Sequence, residues 1–472
     1  MNQIIKDARS LAIAILCFFS TTAIAQNISS EPAEGGGAYP YGRNDAGNPC
    51  ISPAQYKAIE RRVADNIQLL KLNPHNEQRT TTTLFSWPLR EAAGFTDCSY
   101  YFITNYVDQD ATTGIKDYNC GTVTYDGHRG TDIATGPYPF YKMDNNQVDV
   151  IAAAPGTIID KSDGYFDRNC VMNTDTANYI IIQHADGSLA LYWHMKKYSL
   201  TSKIVGQTVA VGEFLGVVGS SGDATGPHLH FEVWANTLSS SLNDPYAGTC
   251  NLLNSTTWWT TQKPYTEPAV LKAQVNLIAP VLPACPTTET PNQDTCFNPG
   301  ASVRFYFFLR NETIGDTAHL RIINPDGSTF YTWTHNSTTD YIASYWYWVR
   351  TLPSFTGVYT FETIYNGITC STNFAVNCGT LGATSVTELS QITVYPNPAN
   401  NTLNLEMKNI DNGTYQVTLK NVVGQPVMTR DAAVADNALQ QTFSIATLPN
   451  GIYFLTIESG NTRIVRKIVK QN

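Results

Sequence analysis

Two periodicities divide the chain. Between Ser52 and Pro74, Ile59, Val63, Ile67 and Leu70 recur at three- and four-residue spacing, which predicts one amphipathic helix. Ser52 is placed as its N-cap and Pro53 at its first position, both ordinary start signals. From about Leu84 to Tyr246 the pattern changes to short runs rich in Val, Ile, Tyr and Thr, separated by Gly, Asp and Asn. The runs Val148 to Ile151, Gly156 to Ile159, Tyr179 to His184, Leu189 to His194, Gln207 to Val211, Phe214 to Val218 and His228 to Trp234 predict strands. A second series follows within Ser302 to Val376, at Val303 to Leu309, Thr329 to Trp333, Tyr341 to Val349 and Gly357 to Ile364. A third lies beyond Ser390, where Leu403, Leu405 and Met407 share one strand face and Tyr415, Val417 and Leu419 another. The expected fold is mainly β, with one strong helix.

Breaks in the pattern mark boundaries. Gln26 to Pro49 is rich in Gly, Pro, Asn and Ser, lacks periodicity and reads as a flexible linker. Pro280 to Pro291 and Gly379 to Ser390 mark two further boundaries. With 472 residues, at roughly 150 per domain, about three domains are expected. At the start, Lys6 and Arg9 precede the apolar run Leu11 to Phe19 and the small-residue triplet Ala23-Ile24-Ala25, the pattern of a cleavable signal peptide. The apolar run falls short of the ~20 residues that span a bilayer, and no later stretch is long enough. The expected division is a signal peptide at 1–25, linker and helix at 26–83, and β domains at 84–270, 280–380 and 391–472. The mature protein is expected to have no transmembrane segment.

Composition narrows the function. Lys and Arg number 30 against 39 Asp and Glu, a net charge of −9, which argues against a nucleic-acid partner, because phosphate neutralisation needs a basic face. Of ten cysteines, Cys17 leaves with the signal peptide and the others enter an oxidising compartment, where disulfides persist. None forms a C-x-x-C knuckle, so bridges are expected, and the odd remainder leaves one cysteine without a partner in the chain. Cys285, Cys296, Cys370 and Cys378 give the second β domain an even count and room for two bridges, with the pairing open. In Tyr341 to Trp348 aromatics alternate on both faces of a strand. One face is core, and the other suits either sugar stacking or a neighbouring domain.

Candidate chemistry lies in one domain. Four of eight histidines fall in three short patterns, His128-Arg-Gly-Thr-Asp132, Leu191-Tyr-Trp-His194 and His228-Leu-His230. On a strand His228 and His230 share a face, and residues four apart, such as His128 and Asp132, can do likewise, so imidazoles and a carboxylate can converge. Neutral imidazole and carboxylate suit zinc, and a catalytic zinc has three protein ligands with the fourth position left for water. Zinc lowers the pKa of that water to about 7. His184 ends a strand at a turn and reads as structural, and His75, His319 and His335 have no partner pattern.

In this order, His128-Arg-Gly-Thr-Asp132-Ile-Ala, Ala154-Pro-Gly-Thr, the run Tyr179 to Gly187, Leu191-Tyr-Trp-His194-Met, Val209 to Gly216, Gly219-Ser-Ser-Gly222 and Gly226-Pro-His-Leu-His-Phe-Glu232 resemble the lysostaphin/LytM-type zinc metallopeptidases. The resemblance covers about Leu84 to Tyr246. It implies a LytM-like antiparallel β peptidase domain with one zinc ion held by His128, Asp132 and His230. His228 would be the general base and His194 would donate to the oxyanion, with the two roles open to exchange. It also implies peptide-bond hydrolysis in peptidoglycan stems or cross-bridges. Two segments exceed the compact family pattern, Asp163 to Ala177 and Tyr138 to Asn146, and are expected to be loops walling a groove. Gln26 to Trp87 is either a site-blocking pro-segment or a packed extension. The second β domain reads as an Ig-like β-sandwich. The last module resembles the type IX secretion sorting domain of Bacteroidota, on Val394-Tyr-Pro-Asn-Pro398, Leu403-Asn-Leu, Val417-Thr-Leu, Asn421-Val-Val-Gly424, Leu448-Pro-Asn-Gly-Ile-Tyr453 and Ile464 to Lys470. That resemblance implies a small β-sandwich, type IX secretion machinery as partner, and a protein secreted to, or held on, the outer surface of a Gram-negative bacterium. A protease acting on glycine-rich foreign or host protein and a non-catalytic LytM-like wall-binding or regulatory protein are the alternatives.

Overall fold

The computed structural model describes residues 30–41, 50–72, 82–283, 288–377, 392–408, 412–422, 424–459 and 462–471. The expected signal peptide, the linker expected at 379–390, His75, Cys285 and Cys378 lie outside the described residues. The chain is mainly β, in three bodies, with no helix among the described residues long and apolar enough to cross a membrane.

The N-terminal part holds strand β1 (Gly35–Ala38) and helix α1 (Pro53–Leu70). A capping box starts the helix: Ser52 Oγ accepts from Gln55 N at 3.3 Å and Gln55 Oε1 accepts from Ser52 N at 2.7 Å. Its buried stripe is Tyr56, Ile59, Val63 and Ile67.

The first β domain contains β2 (Leu89–Glu91), β3 (Tyr101–Asn105), β4 (Thr131–Thr135), α2 (Pro139–Asp144), β5 (Val148–Ile151), β6 (Gly156–Ser162), β7 (Tyr179–Gln183), β8 (Leu189–Trp193), β9 (Thr208–Val209), β10 (Phe214–Val217), β11 (His228–Trp234) and β12 (Leu242–Asn243). The main sheet runs β3-β4-β11-β8-β7-β6-β9, with β12 on β11, and a second sheet runs β10-β5-β2. Period-two alternation sorts the main sheet's side chains. Ile181, Leu191, Trp193 and Trp234 face the α1 stripe, while Ile180, Ile182, Tyr192, Leu229, Phe231 and Val233 pack with Val148, Val150 and Leu215 of the second sheet.

The sandwich comprises β13 (Ala269–Asn276), β14 (Cys296–Phe297), β15 (Ser302–Glu312), β16 (Thr317–Ile323), β17 (Thr329–Asn336), β18 (Tyr341–Thr351), β19 (Gly357–Tyr365) and β20 (Ile368–Val376). Its sheets are β1-β18-β15-β13 and β14-β20-β19-β16-β17. Trp333, Trp348, Phe305 and Phe361 fill the core between them. The other face of β18 joins Tyr345 and Tyr347 to a cluster with Tyr39, Phe102, Tyr138 and Phe308, so those aromatics pack against the first domain. The C-terminal body pairs the sheet β21-β22-β25, of β21 (Ile392–Tyr395), β22 (Thr402–Lys408) and β25 (Ala438–Ser444), with a second sheet. That second sheet is β24-β23-β26-β27, of β23 (Gly413–Asn421), β24 (Pro426–Val434), β26 (Gly451–Ser459) and β27 (Thr462–Lys470).

Three expectations are corrected. The stretch read as a flexible linker contains β1, whose Gly35 to Ala38 pair with Tyr347 to Ser344. Backbone pairing needs no apolar pattern, and glycine suits the close approach: a Cβ on Gly36 would lie 2.3 Å from the Tyr345 carbonyl oxygen. Tyr138 to Asn146, expected as a loop, holds α2, with Phe140 and Met143 buried. The two bridges expected within the sandwich are not formed as a self-contained set, because Cys370 bonds to Cys98 of the first domain. A second bridge joins Cys120 and Cys250, and Cys170 and Cys296 are disulfide-bonded as well.

Candidate metal centre

Sheet register builds the centre. In the antiparallel β4–β11 pair His230 stands directly opposite Asp132, and His228 opposite Ala134. Because β11 alternates, His228, His230, Glu232 and Trp234 share the α1 face while Leu229, Phe231 and Val233 enter the opposite core. His128 precedes β4 in a turn closed by its own N–H donating to the Tyr125 carbonyl at 3.0 Å. His194 follows β8 with a left-handed φ of 67°. Simple alternation would send it into the core beside Tyr192. The left-handed turn instead brings its ring to 4.5 Å from that of His228.

Within this face His128, Asp132 and His230 present ligand atoms that all lie within 4.8 Å of one another, and all three residues are buried. His128 Nε2 is 3.3 Å from His230 Nδ1 and 3.0 Å from Asp132 Oδ2, and His230 Nδ1 is 2.8 Å from Asp132 Oδ1. The remaining ring nitrogens are tied down. His128 Nδ1 donates to the Tyr106 carbonyl at 2.7 Å, and His230 Nε2 lies 3.3 Å from Glu232 Oε2. Each imidazole thereby turns a lone pair toward the cluster, the arrangement of histidines that bind metal. Asn105 Nδ2 donates to Asp132 Oδ2 at 3.0 Å. Two imidazoles and one carboxylate, at distances natural for atoms sharing one small ion, fit zinc.

Two further histidines stand beside the cluster. His194 Nδ1 donates to the Ser221 carbonyl at 2.7 Å and His228 Nδ1 to the Gly226 carbonyl at 2.8 Å. In the neutral ring each Nε2 is therefore a proton acceptor. His194 Nε2 is buried without a hydrogen-bond partner among the described residues, and His228 Nε2 is 3.6 Å from Asp132 Oδ1. Burial, with His228 and His230 adjacent, pushes His194 well below the ordinary imidazole range. Burial also lowers His228, against the opposing pull of Asp132. Both rings are thus held neutral. A groove opens here, lined by Tyr41, Cys50, Phe102, Asn105, Tyr125, Pro139, Met172, Thr225, Pro227 and His228. Pro139 and Met172 come from the two segments expected to wall it.

The five expected site residues therefore come together. His184 stays apart, donating from Nδ1 to the Pro155 carbonyl at 2.8 Å, and His335 meets the buried Glu312 in the sandwich. Sequence reasoning passed over Glu232, Asn105 and Cys50. The first carried a signal, since it follows His228 and His230 at the same two-residue step. The other two arrive from distant segments. Glu232 is the hub of this face: its carboxylate accepts from Tyr56 Oη at 2.7 Å, Trp234 Nε1 at 2.6 Å and Arg129 Nε at 3.2 Å besides facing His230. Burial opposes its ionisation, but His230 and Arg129 hold it below the usual carboxylate range.

Two family models match the chain. Residues 126–242 match the family described as Peptidase family M23, and residues 393–471 match the secretion system C-terminal sorting domain. The chain thus contains an M23-type metallopeptidase domain and a sorting domain. It is 38% identical over 66 residues to an uncharacterized metalloprotease of Buchnera aphidicola, covering 14% of this chain and 17% of that protein. It is 43% identical over 56 residues to the peptidoglycan DD-endopeptidase ShyA of Vibrio cholerae, covering 12% of each. The chain thus spans under a fifth of the length of these relatives. Among solved structures, the catalytic domain of lysostaphin from Staphylococcus simulans aligns at 24% identity over 30% of this chain and 85% of that one, with a TM-score of 0.20.

Proposed function

We propose that the protein is an exported zinc endopeptidase that hydrolyses peptide bonds in peptidoglycan stems or cross-bridges. The observation that carries this reading is the convergence of His128 Nε2, Asp132 and His230 Nδ1 beside two neutral histidines, at the floor of a groove. The M23 match supports the reaction class, and the relatives named as DD-endopeptidases support the substrate class. Zinc, held by His128, Asp132 and His230, would supply Lewis acidity toward a peptide carbonyl and acidify the attacking water.

The chain's own residues do the rest. His228 Nε2, at the groove wall, takes the proton of the attacking water and later returns it to the leaving amine. His194 is a proton acceptor at rest, because its Nδ1 proton is committed to Ser221. It stabilises the developing oxyanion only once its Nε2 carries a proton, so its oxyanion role and the base role belong to one shared proton inventory. Asn105 and Glu232 orient Asp132 and His230. On this reading the chain divides into a signal peptide at 1–25, an N-terminal segment at 26–83, the peptidase domain at 84–270, the Ig-like sandwich at 280–380 and the sorting domain at 391–472. The sorting match supports passage through type IX secretion machinery to the outside or the outer surface of a Gram-negative cell.

The test is mass spectrometry of products released from purified peptidoglycan and from a glycine-rich polypeptide. His228→Ala should retain zinc and release no new amine ends. His230→Ala should lose both zinc and turnover. Wild-type activity in both variants with equal zinc content would overturn the site, and cleavage of the polypeptide alone would move the substrate from wall to protein.

A further inference from the structure

A polar cavity lies where the first β domain meets the sandwich. It measures about 500 Å³ and is lined by Asp97, Tyr138, Lys142 and Gln147 on one side and by Lys272 and the stretch Thr290 to Gln293 on the other. That volume is natural for a small-molecule site, and a junction between domains is a usual place for one. Helix α2 is a shared wall: its first residue, Pro139, lines the groove of the metal centre, whereas Lys142 lines this cavity. The two sides are fixed together. The backbone N–H groups of Cys98 and Ser99 both donate to the Leu271 carbonyl, at 3.0 and 3.1 Å, and Cys98 is bridged to Cys370. The walls are therefore set before a ligand arrives, which lowers the cost of binding one.

Two lysines share one carboxylate here. Lys142 Nζ donates to Asp97 Oδ2 and Lys272 Nζ to Asp97 Oδ1, and the Lys142, Lys272 and Asp97 side chains are only 2%, 12% and 8% exposed. The trio carries one net positive charge, and withdrawing such a charge from water is costly unless an anion matches it. Glu289, the next carboxylate, is not part of the lining. It accepts instead from the Phe140 and Tyr141 backbone at 3.3 and 2.8 Å, at the start of α2. Each ammonium has three donors. Lys142 gives one to Asp97 and rests over the Phe95 ring at 5.0 Å, and Lys272 gives one to Asp97, so both keep N–H groups for a ligand. Burial pulls Lys142 below the ordinary ammonium range against the pull of Asp97, so an anion beside it is stabilising. Tyr138 Oη, close to the Gln274 side chain, is buried without a hydrogen-bond partner among the described residues. The remaining lining is largely amide and hydroxyl, from Gln147, Asn292, Gln293 and three threonines.

We infer that this cavity binds a sugar acid, a saccharide unit bearing a carboxylate, with the carboxylate against Lys142 and Lys272 and the hydroxyls against the amides and Tyr138. A single inorganic anion would leave most of the volume and its amides unused, and an apolar group would strand the Tyr138 hydroxyl. A ring that is polar over its whole surface and anionic at one edge satisfies both ends of the lining. The inference goes beyond the peptidase reading and does not depend on the metal. Its chemistry has two sources: an N-acetylmuramic acid freed of its peptide, and the uronic acids of acidic polysaccharides.

The test is calorimetric titration of the full mature chain with N-acetylmuramic acid, glucuronic acid, N-acetylglucosamine, inorganic phosphate and an acidic peptide. At least one sugar acid should bind one per chain with a Kd at or below about 1 mM, and N-acetylglucosamine at least tenfold more weakly. Whichever acid binds names the source. Lys272→Gln should weaken the sugar acid at least tenfold and leave N-acetylglucosamine unchanged. Gln147→Ala, on the more open wall, should weaken both sugars and locates the site even if the lysine variant fails to fold. Failure of both sugar acids to bind, or equal binding by wild type and the folded variants, overturns the inference. Phosphate bound as tightly as the sugar acids would make this an anion site alone, and the acidic peptide bound in their place would make it a peptide site; either result overturns the saccharide assignment.

Discussion

Glu232→Gln isolates the support of the metal centre without altering its ligands. The four donors are divided between the two oxygens: Trp234 Nε1 and Arg129 Nε meet Oε1, and Tyr56 Oη and His230 Nε2 meet Oε2. A glutamine must place an NH2 at one of these positions. At the Oε1 position it would face two obligatory donors. At the Oε2 position Tyr56 can turn its hydroxyl to accept, so only His230 is left opposed, and this orientation wins. The variant therefore loses one hydrogen bond to a charged acceptor and the pairing charge of Arg129, together ~2–4 kcal/mol of stability. At roughly 2–4 °C per kcal/mol for a domain of this size, the melting temperature should fall by about 5–15 °C. His230 loses the partner that fixes its tautomer, which should weaken zinc binding about 10–100-fold. Competition against a chromophoric chelator measures the second quantity and thermal unfolding the first. A glutamine variant with wild-type zinc affinity and melting temperature would refute this account of Glu232.

Three further outcomes are expected. The acid limb of kcat/KM should have its midpoint below pH 6.5, because both His194 and His228 are shifted down and stay neutral as pH falls; a midpoint above 6.5 contradicts the assignment. Asp244, buried and raised to about 7, keeps its proton in the native chain after the unfolded chain has lost it. Stability should then drop by ~4 kcal/mol as pH rises from about 4 to 7, and Asp244→Asn should flatten that slope in denaturant titrations at several pH values. Replacing Cys98 and Cys370 together by Ser opens a link spanning 272 residues of sequence and should lower unfolding stability in guanidinium by ~2–5 kcal/mol; no change would mean that packing alone joins the two domains.

Local rules served wherever one segment decides its own structure. The capping box at Ser52 and the His228 to Trp234 strand emerge where the pattern puts them, because cap chemistry and period two are short-range. Alternation also predicted that His228 and His230 share a face. What it could not predict was His194, whose ring reaches that face only through a left-handed backbone turn. Nor could it find β1, a glycine strand defined by its partner rather than by any apolar rhythm. The partner of Cys370 and the approach of Cys50 to His230 both depend on segments meeting across the fold, and spacing along the chain is silent about such meetings. Asn105 reaches Asp132 for the same reason, from the neighbouring strand.

The pairing of Gly35 with Tyr347 has a consequence for the order in which the molecule is assembled. Helix α1 and the sheet it covers can associate once residue 234 has emerged, but β1 has no edge to join until β18 has been made and paired with β15. Contacts of such long sequence separation form late, because the entropy of closing the intervening loop must be met first. The nascent peptidase sheet therefore precedes its own N-terminal anchor. Residues 30–41 are seated last, against a sandwich that is itself complete only near residue 376, so an interrupted chain would present the groove without the strand that fixes the approach to it.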